Sequence, residues 1–266
     1  MLDQPLTNKM IAKKDGAIGH LIFNNPARRN AVSLEMWEAV QSILDDFERD
    51  EGVRVIVVSG AGGRAFVSGA DISEFAEKRA SAEAAEAYSR ISEAARARLE
   101  ATPKPTIAMI RGYCIGGGVG TALACDLRIA AEGARFGIPA AKLGLGYAYD
   151  GIRRLIDLVG PAAAREIFYT ARQFSAEEAL RMGLVNQVVA EDRLEDYVNE
   201  YCGMIAENAP LTLRAVKTIV REAVKDESER DLALCRRVVD DCFRSRDYTE
   251  GRTAFMEKRK PNFQGK

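Results

Sequence analysis

The sequence predicts an α/β fold followed by a helical C-terminal region. Strand-like apolar runs alternate with helix-like stretches up to about residue 190, whereas every periodic segment from about Arg193 onward is helical. The chain has 266 residues, of which 47% are hydrophobic, enough for one large core. We therefore expect an α/β core over residues 1–190 and a helical region over residues 191–266. The helical region is expected to pack on that core or on a neighbouring subunit.

Turn and capping residues predict the first elements. Two alternating runs flank Asp15-Gly16, a dipeptide that tolerates positive φ and indicates a hairpin. Ser33 suits the N-cap of a helix whose apolar residues, from Leu34 onward, recur at helical spacing. The run VRVIVVSG then predicts a buried strand.

The middle of the chain continues this alternation. A helix is predicted from roughly Ala80 to Ala101, and Pro103 and Pro105 prevent it from continuing into the strand KPTIAMIRG. A glycine-rich run comes next, followed by a short helix and the strand DLRIAA.

Three helical stretches precede the last predicted strand, GLVNQVV. Gly160-Pro161 starts the second of them. Ser175 and Glu178 form a capping box before the third, which ends at Gly183 as its C′ residue.

Composition excludes several classes of function. The formal net charge of -1 and the absence of basic clusters argue against a nucleic-acid partner. The sequence has neither a bilayer-length apolar run nor an apolar signal core, so we expect a cytoplasmic protein. His20 is the single histidine and is expected in a strand without a chemical role. No pair of cysteines has metal-ligand spacing, so we expect no metal and buried, reduced thiols at Cys114, Cys125, Cys202, Cys235 and Cys242.

Two glycine-rich segments are candidate functional loops. Gly60, Gly62 and Ala65 match a dinucleotide-binding pattern, but the further break at Gly69 leaves no long helix for a pyrophosphate, so we reject that interpretation. The run IGGGVG precedes a helix and fits either an anion site or a tightly packed loop-to-helix junction. The segments Gly69-Ala70 and Gly116-Gly117 could also present two backbone amides to one oxygen.

Five segments between residues 24 and 263 carry a resemblance over nearly the whole chain. They are NNPARRNAVS, AFVSGADISEF, KPTIAMIRGYCIGGGVGTALACDLRIAAEGARFGIPAAKLGLG, FSAEEALRMGLVNQVV and FMEKRKPNF. In this order they resemble the enoyl-CoA hydratase/isomerase (crotonase) superfamily. The resemblance implies an α/β crotonase-like spiral of ββα turns with a helical C-terminal trimerisation region, assembled as a homotrimer or a dimer of trimers.

The resemblance also implies an acyl-CoA substrate, with coenzyme A as part of that substrate and no separate cofactor. The peptide N–H groups of Ala70 and Gly117 would form an oxyanion hole for the thioester oxygen. Fixed donors of this kind stabilise a charge that develops during the reaction. The residues that the resemblance implies in binding coenzyme A are Arg28, Ser68, Asp71, Ile72, Phe255 and Lys258. The last two would close either the chain's own site or that of a neighbouring subunit.

The sequence departs from the family pattern where hydratases carry two glutamates. The resemblance places those positions at Gly120 and Ala140, and the isomerases' usual acid at Ala148. None of these side chains can exchange a proton. Nearby, Tyr147 lies where methylmalonyl-CoA decarboxylase-like members carry a functional tyrosine, although aromatic packing is an alternative. Asp150 is either a substitute catalytic group or a helix N-cap.

Three functions follow from this pattern. Loss of carbon dioxide from a malonyl-type thioester generates an enolate without a strong base, so our main expectation is a decarboxylase-like lyase that uses Tyr147 or Asp150. An enoyl-CoA hydratase is the first alternative and requires an acid or base that the sequence does not locate. A non-catalytic acyl-CoA-binding protein is the second.

Overall fold

The structure, a computed structural model, describes residues 7–71 and 82–266. The strands in these ranges are β1 (Met10–Asp15), β2 (Ile18–Phe23), β3 (Val55–Gly60), β4 (Ala65–Val67), β5 (Thr106–Ile110), β6 (Tyr113–Ile115), β7 (Leu127–Ala131), β8 (Arg135–Gly137), β9 (Phe174–Ser175) and β10 (Gln187–Val189). The α-helices are α1 (Leu34–Arg49), α2 (Ala82–Ala101), α3 (Gly117–Leu123), α4 (Tyr149–Thr170), α5 (Ala176–Arg181), α6 (Leu194–Ala206), α7 (Pro210–Ala223), α8 (Leu232–Arg244) and α9 (Arg246–Glu257).

The strands form two sheets. One has six strands in the order β1-β2-β3-β5-β7-β10, and the other has four in the order β4-β6-β8-β9. The pairs β1–β2 and β8–β9 are antiparallel, and all the other pairs are parallel. Parallel neighbours need a crossover connection, and here helices provide it.

Chain order shows how the two sheets grow together. The segments β3-β4-α2, β5-β6-α3 and β7-β8-α4 each add one strand to the large sheet, one to the small sheet and then a helix. This repetition is the ββα spiral that the resemblance implied, and it confirms the predicted fold class. The ends of β4 and β6 come together in the small sheet, which brings the two glycine-rich loops side by side.

The central strand β3 shows why the large sheet is buried on both faces. Ile56 and Val58 belong to the larger core, which also includes apolar residues of α1 and α2. Val55 and Val57 point to the opposite face and share a second core with Leu194 of α6. Side chains alternate along a strand, so one short apolar run supplies both cores.

The predicted boundaries agree closely with the structure at several points. Gly16 has φ +55° in the turn of the β1–β2 hairpin, and Ser33 is the N-cap of α1. Gly160 has φ 74° and breaks the helical geometry inside α4 just before Pro161, where a new helix was expected. The capping box of α5 is also present, since Glu178 N donates to Ser175 Oγ at 3.2 Å and Ser175 N donates to Glu178 Oε2 at 2.8 Å.

Of the five thiols, Cys114, Cys125 and Cys202 are buried, whereas Cys235 and Cys242 are partly exposed, so the expectation of burial holds for three. Burial raises the pKa of Cys125 to about 12, which keeps that thiol protonated. His20 lies on β2, as expected. Within the described residues there is no cluster of metal-ligating side chains, and no helix there is long and apolar enough to cross a membrane.

The change from alternating to purely helical structure occurs where the sequence predicts it. The last strand ends at Val189, and the later elements of the described chain are helical. However, Leu194, Val198 and Cys202 of α6 are buried against the large sheet. The boundary near residue 190 therefore marks a change in secondary structure, and α6 still packs on the core.

Replacing Leu194 with alanine tests this packing. The side chain is 0% exposed, so Leu194→Ala should lower the free energy of unfolding by about 2–5 kcal/mol. Leu180→Ala is the matched control, because that leucine is 42% exposed and its loss should change stability by no more than about 0.5 kcal/mol. Urea denaturation measures both, and equal midpoints for the two variants would contradict the docking of α6.

Candidate active site

A cavity of about 300 Å³ lies between α2, the loop after β4, the start of α3 and the start of α4. This volume is at the lower end of the range typical of small-molecule sites. The side chains with polar groups that line it in the described part of the chain are Ser68, Trp37, Tyr88, Ser89, Ser92, Glu93, Arg96, Tyr147 and Arg154.

Two glycine loops form one wall of this cavity. Gly69 has φ +104° and Gly116 has φ +56°, values that side-chain-bearing residues rarely adopt. The loops are in direct backbone contact, because a Cβ built on Gly117 would lie 3.7 Å from Gly69 Cα. Ala70 and Gly117 both line the cavity at this contact.

Backbone hydrogen bonds orient the N–H of Ala70, and the start of α3 exposes the N–H of Gly117. Val32 N donates to Gly69 O at 2.9 Å, and Asp71 N donates to Val32 O at 3.1 Å. Ala70 lies between Gly69 and Asp71 and pairs with Val32 in a parallel bridge. In such a bridge the N–H of Ala70 points away from Val32. Gly117 is the first residue of α3, so its N–H has no acceptor within the helix. The fold thus brings together the peptide groups of Ala70 and Gly117, and their role as oxyanion donors stays a prediction.

The consecutive glycines have different roles. Gly116 supplies the positive φ at the entry to α3. Gly118 provides close packing, since a Cβ there would lie 2.0 Å from the carbonyl oxygen of Val67. Gly117 borders the cavity. The tight-junction interpretation is therefore correct for Gly118. The anion-site interpretation stays a prediction for Gly117, which borders the cavity.

The positions that the resemblance assigns to the hydratase glutamates, Gly120 and Ala140, also line the cavity. A Cβ on Gly120 would lie 3.4 Å from Cδ and 3.7 Å from Nε of Arg96. The Arg96 side chain, which comes from α2, therefore covers Gly120 on the side of the cavity. Its guanidinium lies 5.3 Å from the centre of the Trp37 ring.

Three charged side chains of the cavity escaped sequence reasoning. Glu93 Oε1 accepts a hydrogen bond from Arg154 Nη1 at 2.6 Å, and Glu93 Oε2 accepts from Arg96 Nη2 at 3.2 Å. The side chain of Glu93 is 31% exposed, that of Arg154 is 19% exposed and that of Arg96 is 16% exposed. Burial opposes the charged form of Arg154, but its hydrogen bond to Glu93 and the nearby Glu100 carboxylate raise its pKa overall.

The pattern of buried residues on α2 could have identified two of these three residues, Glu93 and Arg96. Tyr88, Ser92, Ala95 and Leu99 are buried and follow helical spacing, which defines the inner face of α2. Glu93 and Arg96 flank that face and are three residues apart, so their side chains meet. Arg154 had no comparable signal, because it comes from α4.

Tyr147 lies in the cavity wall, where its ring packs edge-on against Phe168 with the ring centres 4.9 Å apart. Burial raises the pKa of its phenol, so the hydroxyl stays protonated at neutral pH. Gly151 leaves space for this ring, since a Cβ there would lie 2.9 Å from Tyr147 Cε1. Tyr147 is thus both an aromatic packing residue and a cavity residue.

Asp150 does not have the predicted position. The N-cap of α4 is Ala148, whose extended backbone ends just before the helix, and Asp150 is the second helical residue. The N-cap interpretation is therefore wrong, although an acidic residue in the first turn still favours the helix. Asp150 is exposed and is not among the residues that line the cavity, so the structure does not bring it to Ala70 and Gly117.

Three of the residues predicted to bind coenzyme A lie together beside the cavity. Ser68 Oγ donates to the carbonyl oxygen of Arg28 at 3.3 Å, and Arg28 Nη1 lies 3.6 Å from Asp71 Oδ1. Arg28 is exposed, whereas Asp71 is buried. Ile72 lies outside the described residues.

Phe255 and Lys258 lie at the C-terminal end of α9. Phe255 is 83% exposed, Lys258 is also exposed, and neither lines the cavity of its own chain.

A ββα spiral that holds two peptide donors over a cavity defines the crotonase fold of acyl-CoA-processing enzymes. The chain matches the enoyl-CoA hydratase/isomerase family over residues 13–266 and belongs to it. It is 34% identical over 253 residues to the short-chain-enoyl-CoA hydratase of Clostridium acetobutylicum, covering 95% of this chain and 96% of that protein. It is 36% identical to the crotonyl-CoA hydratase of Syntrophomonas wolfei, with 96% and 97% of the two chains covered.

Solved structures agree with this assignment. The crystal structure of enoyl-CoA hydratase from Bacillus anthracis superposes with a TM-score of 0.91 at 32% identity, covering 97% of this chain and 100% of that one. The chain is therefore an acyl-CoA-acting member of the family.

The contact between Gly118 and Val67 can be tested by adding one methyl group. Gly118→Ala should lower the free energy of unfolding by about 1–3 kcal/mol, because the new Cβ would overlap the carbonyl oxygen of Val67. Gly203→Ala in α6 is the control, since nothing lies within 4 Å of that position and alanine favours a helix by up to about 1 kcal/mol. Denaturant unfolding compares them, and a Gly118→Ala variant as stable as the wild type would disprove the close packing.

Proposed function

We propose that the protein is an enoyl-CoA hydratase, which adds water across the C2–C3 double bond of a 2-enoyl-CoA thioester. The observation that carries this proposal is a carboxylate, Glu93, in the same cavity as the Ala70 and Gly117 peptide groups. It supplies the acid–base group that the sequence pattern lacked. The matched hydratases of Clostridium acetobutylicum and Syntrophomonas wolfei support the same reaction.

The oxyanion hole would act on the thioester carbonyl. When a water oxygen bonds to C3, the electrons of the double bond move towards the thioester oxygen and form an enolate. The N–H groups of Ala70 and Gly117 then donate to an oxygen that carries more charge than in the substrate. Donors held in place before the reaction stabilise this state selectively, and loss of one such donor typically lowers kcat about 10²–10³-fold.

Glu93 would move the proton. Its carboxylate takes a proton from the attacking water, and the resulting carboxylic acid then delivers a proton to C2, so that the thioester carbonyl re-forms and water has been added. Each carboxylate oxygen has two acceptor sites, and the bonds from Arg154 and Arg96 leave capacity for a water molecule. The two arginines also fix the orientation of the carboxylate.

The decarboxylase-like lyase, our main expectation from the sequence, gains no support from the matched relatives, whose names favour the hydratase alternative. Tyr147 still contributes to this site in the proposal. Its protonated phenol shapes the cavity and is a hydrogen-bond donor to substrate or water.

The proposal includes coenzyme A binding by Arg28, Ser68 and Asp71 at the edge of the cavity, with coenzyme A as part of the substrate.

The proposal also includes assembly into a homotrimer or a dimer of trimers. Exposed apolar side chains on the C-terminal helices support this assembly: Val216, Val220, Val224, Leu232 and Phe243 are between 54% and 60% exposed. In such an assembly, Phe255 and Lys258 would reach a neighbouring subunit's site.

Mass spectrometry of the thioester products tests the reaction. Incubation with crotonyl-CoA should add the mass of one water, and Glu93→Gln should slow this conversion about 10²–10⁴-fold because it removes the proton carrier. Glu86→Gln is the control, since Glu86 is an exposed residue of the same helix and should be dispensable. Unchanged hydration by Glu93→Gln would disprove its role.

The same incubation includes methylmalonyl-CoA, ethylmalonyl-CoA and an aromatic acyl-CoA. Loss of carbon dioxide from a malonyl ester without hydration of crotonyl-CoA would replace the proposal with the decarboxylase. Binding of every thioester without conversion would favour the non-catalytic binder.

A second carboxylate introduced on the opposite wall provides a rescue test. Gly120 lies one turn into α3 and borders the cavity, so Gly120→Glu would place a carboxylate close to the Gly117 amide. In the Glu93→Gln background, Gly120→Glu should restore the rate of crotonyl-CoA hydration at least about tenfold, within the range of a positioned acid–base group. Ser89→Glu, on the cavity wall contributed by α2, is the comparison, and equal rescue by both substitutions would show that position is unimportant.

A further inference from the structure

The guanidinium of Arg96 has only one function in the proposed hydration, which is to orient Glu93. Its side chain is 16% exposed and lies between the Trp37 ring, 5.3 Å from the guanidinium carbon, and the space in front of Gly120. These contacts hold a long cationic side chain inside the site, where it cannot be fully hydrated.

The hydrogen bonds of Arg96 use only part of the guanidinium. Nε and Nη2 donate to Glu93 Oε2 at 3.3 and 3.2 Å, and Nη2 also donates to Ser92 Oγ at 3.2 Å. A guanidinium carries five N–H donors, two of them on Nη1. Within residues 7–71 and 82–266, Nη1 donates to no protein acceptor.

The ion pairs of the wall leave Arg96 with only a shared carboxylate partner. Glu93 is already paired with Arg154 through the 2.6 Å hydrogen bond, and Arg154 Nε also donates to Glu100 Oε2 at 2.9 Å. Arg96, Arg154 and Glu93 border the cavity, and together with Glu100 these side chains carry no net charge. Arg96 shares the Glu93 carboxylate with Arg154, so the positive charge of Arg96 is only partly offset. In a partly enclosed site, an added carboxylate interacts with such a charge more strongly than it would in water.

We propose that the site selects acyl-CoA thioesters whose acyl group carries a carboxylate, and that Arg96 binds this carboxylate through Nη1. The inference rests on the proposed function in that the thioester oxygen must lie at Ala70 and Gly117. Arg96 covers Gly120, three residues from Gly117 and thus about 4.5 Å along the helix. The carboxylate should therefore lie only a few carbons from the thioester, as in the mono-CoA esters of short dicarboxylic acids.

Binding of two saturated thioesters of equal chain length tests the inference without any reaction. Calorimetric titration with glutaryl-CoA and valeryl-CoA compares an acyl group that ends in a carboxylate with one that ends in a methyl group. A charge-assisted hydrogen bond typically corresponds to a tenfold or larger change in affinity, so wild-type protein should bind glutaryl-CoA at least about tenfold more tightly. Equal affinities, or tighter binding of valeryl-CoA, would overturn the inference.

Three variants identify the group responsible. Arg96→Met should abolish the preference for glutaryl-CoA, and Arg96→Lys should retain part of it because a charge remains. Arg98→Met is the matched control on the same helix, since Arg98 pairs with Asp45 and Glu48 away from the cavity and its loss should leave the preference unchanged. If Arg96→Met does not fold, Arg96→Gln replaces it, and a preference that persists in the folded variant would refute the role of Arg96.

The outcomes separate this inference from the proposed function. Selective binding of glutaryl-CoA without hydration of any enoyl thioester would support the carboxylate site and refute the hydratase. Hydration of crotonyl-CoA together with equal binding of the two saturated esters would support the hydratase and refute the carboxylate site. If neither ester binds, the carboxylate site is refuted.

Discussion

Two backbone contacts that leave no space for a side chain fix β4 against the segment from β6 to α3. A Cβ on Gly112 would lie 2.1 Å from the carbonyl oxygen of Arg64, just before β4, and one on Gly118 would lie 2.0 Å from that of Val67, at its end. The strand is thereby held at both ends. These two contacts set the distance between the loops that follow β4 and β6. They therefore also set the distance between the amides of Ala70 and Gly117, which lie in those loops. A protein interior that is packed this closely has no easy way to adjust such a distance.

Sequence reasoning was most successful where backbone geometry restricts the residue type. Positive φ and close approach admit almost only glycine, so the loops around Gly69 and Gly116 could be recognised, and the large sheet followed from its apolar runs. The small sheet was missed because its strands have only two or three residues, too few to show a period.

The charged side of the site was harder to predict. Glu93 and Arg154 are 61 positions apart in the chain, and only the packing of α2 against α4 brings them together. In the sequence only the position of Glu93 beside the buried face of α2 distinguished it from the charges of a solvated helix face, and Arg154 had no such signal. Asp150, by contrast, lay close in sequence to the family's acidic positions but entered the first turn of α4 on its exposed side.

The helix that carries Glu93 and the loop that carries Ala70 are both attached to the same peptide group. The Val32 carbonyl oxygen accepts the hydroxyl of Tyr88 on α2 at 2.8 Å and also the N–H of Asp71 at 3.1 Å. Tyr88 in turn accepts the indole N–H of Trp37 at 3.0 Å. Val32 is therefore a common attachment point for the helix with the proposed proton carrier Glu93 and the loop with the proposed oxyanion donor Ala70. Tyr88 lines the cavity as well, so substitutions elsewhere on the cavity face of α2 can alter which acyl groups fit while the alignment of the two halves of the site is preserved.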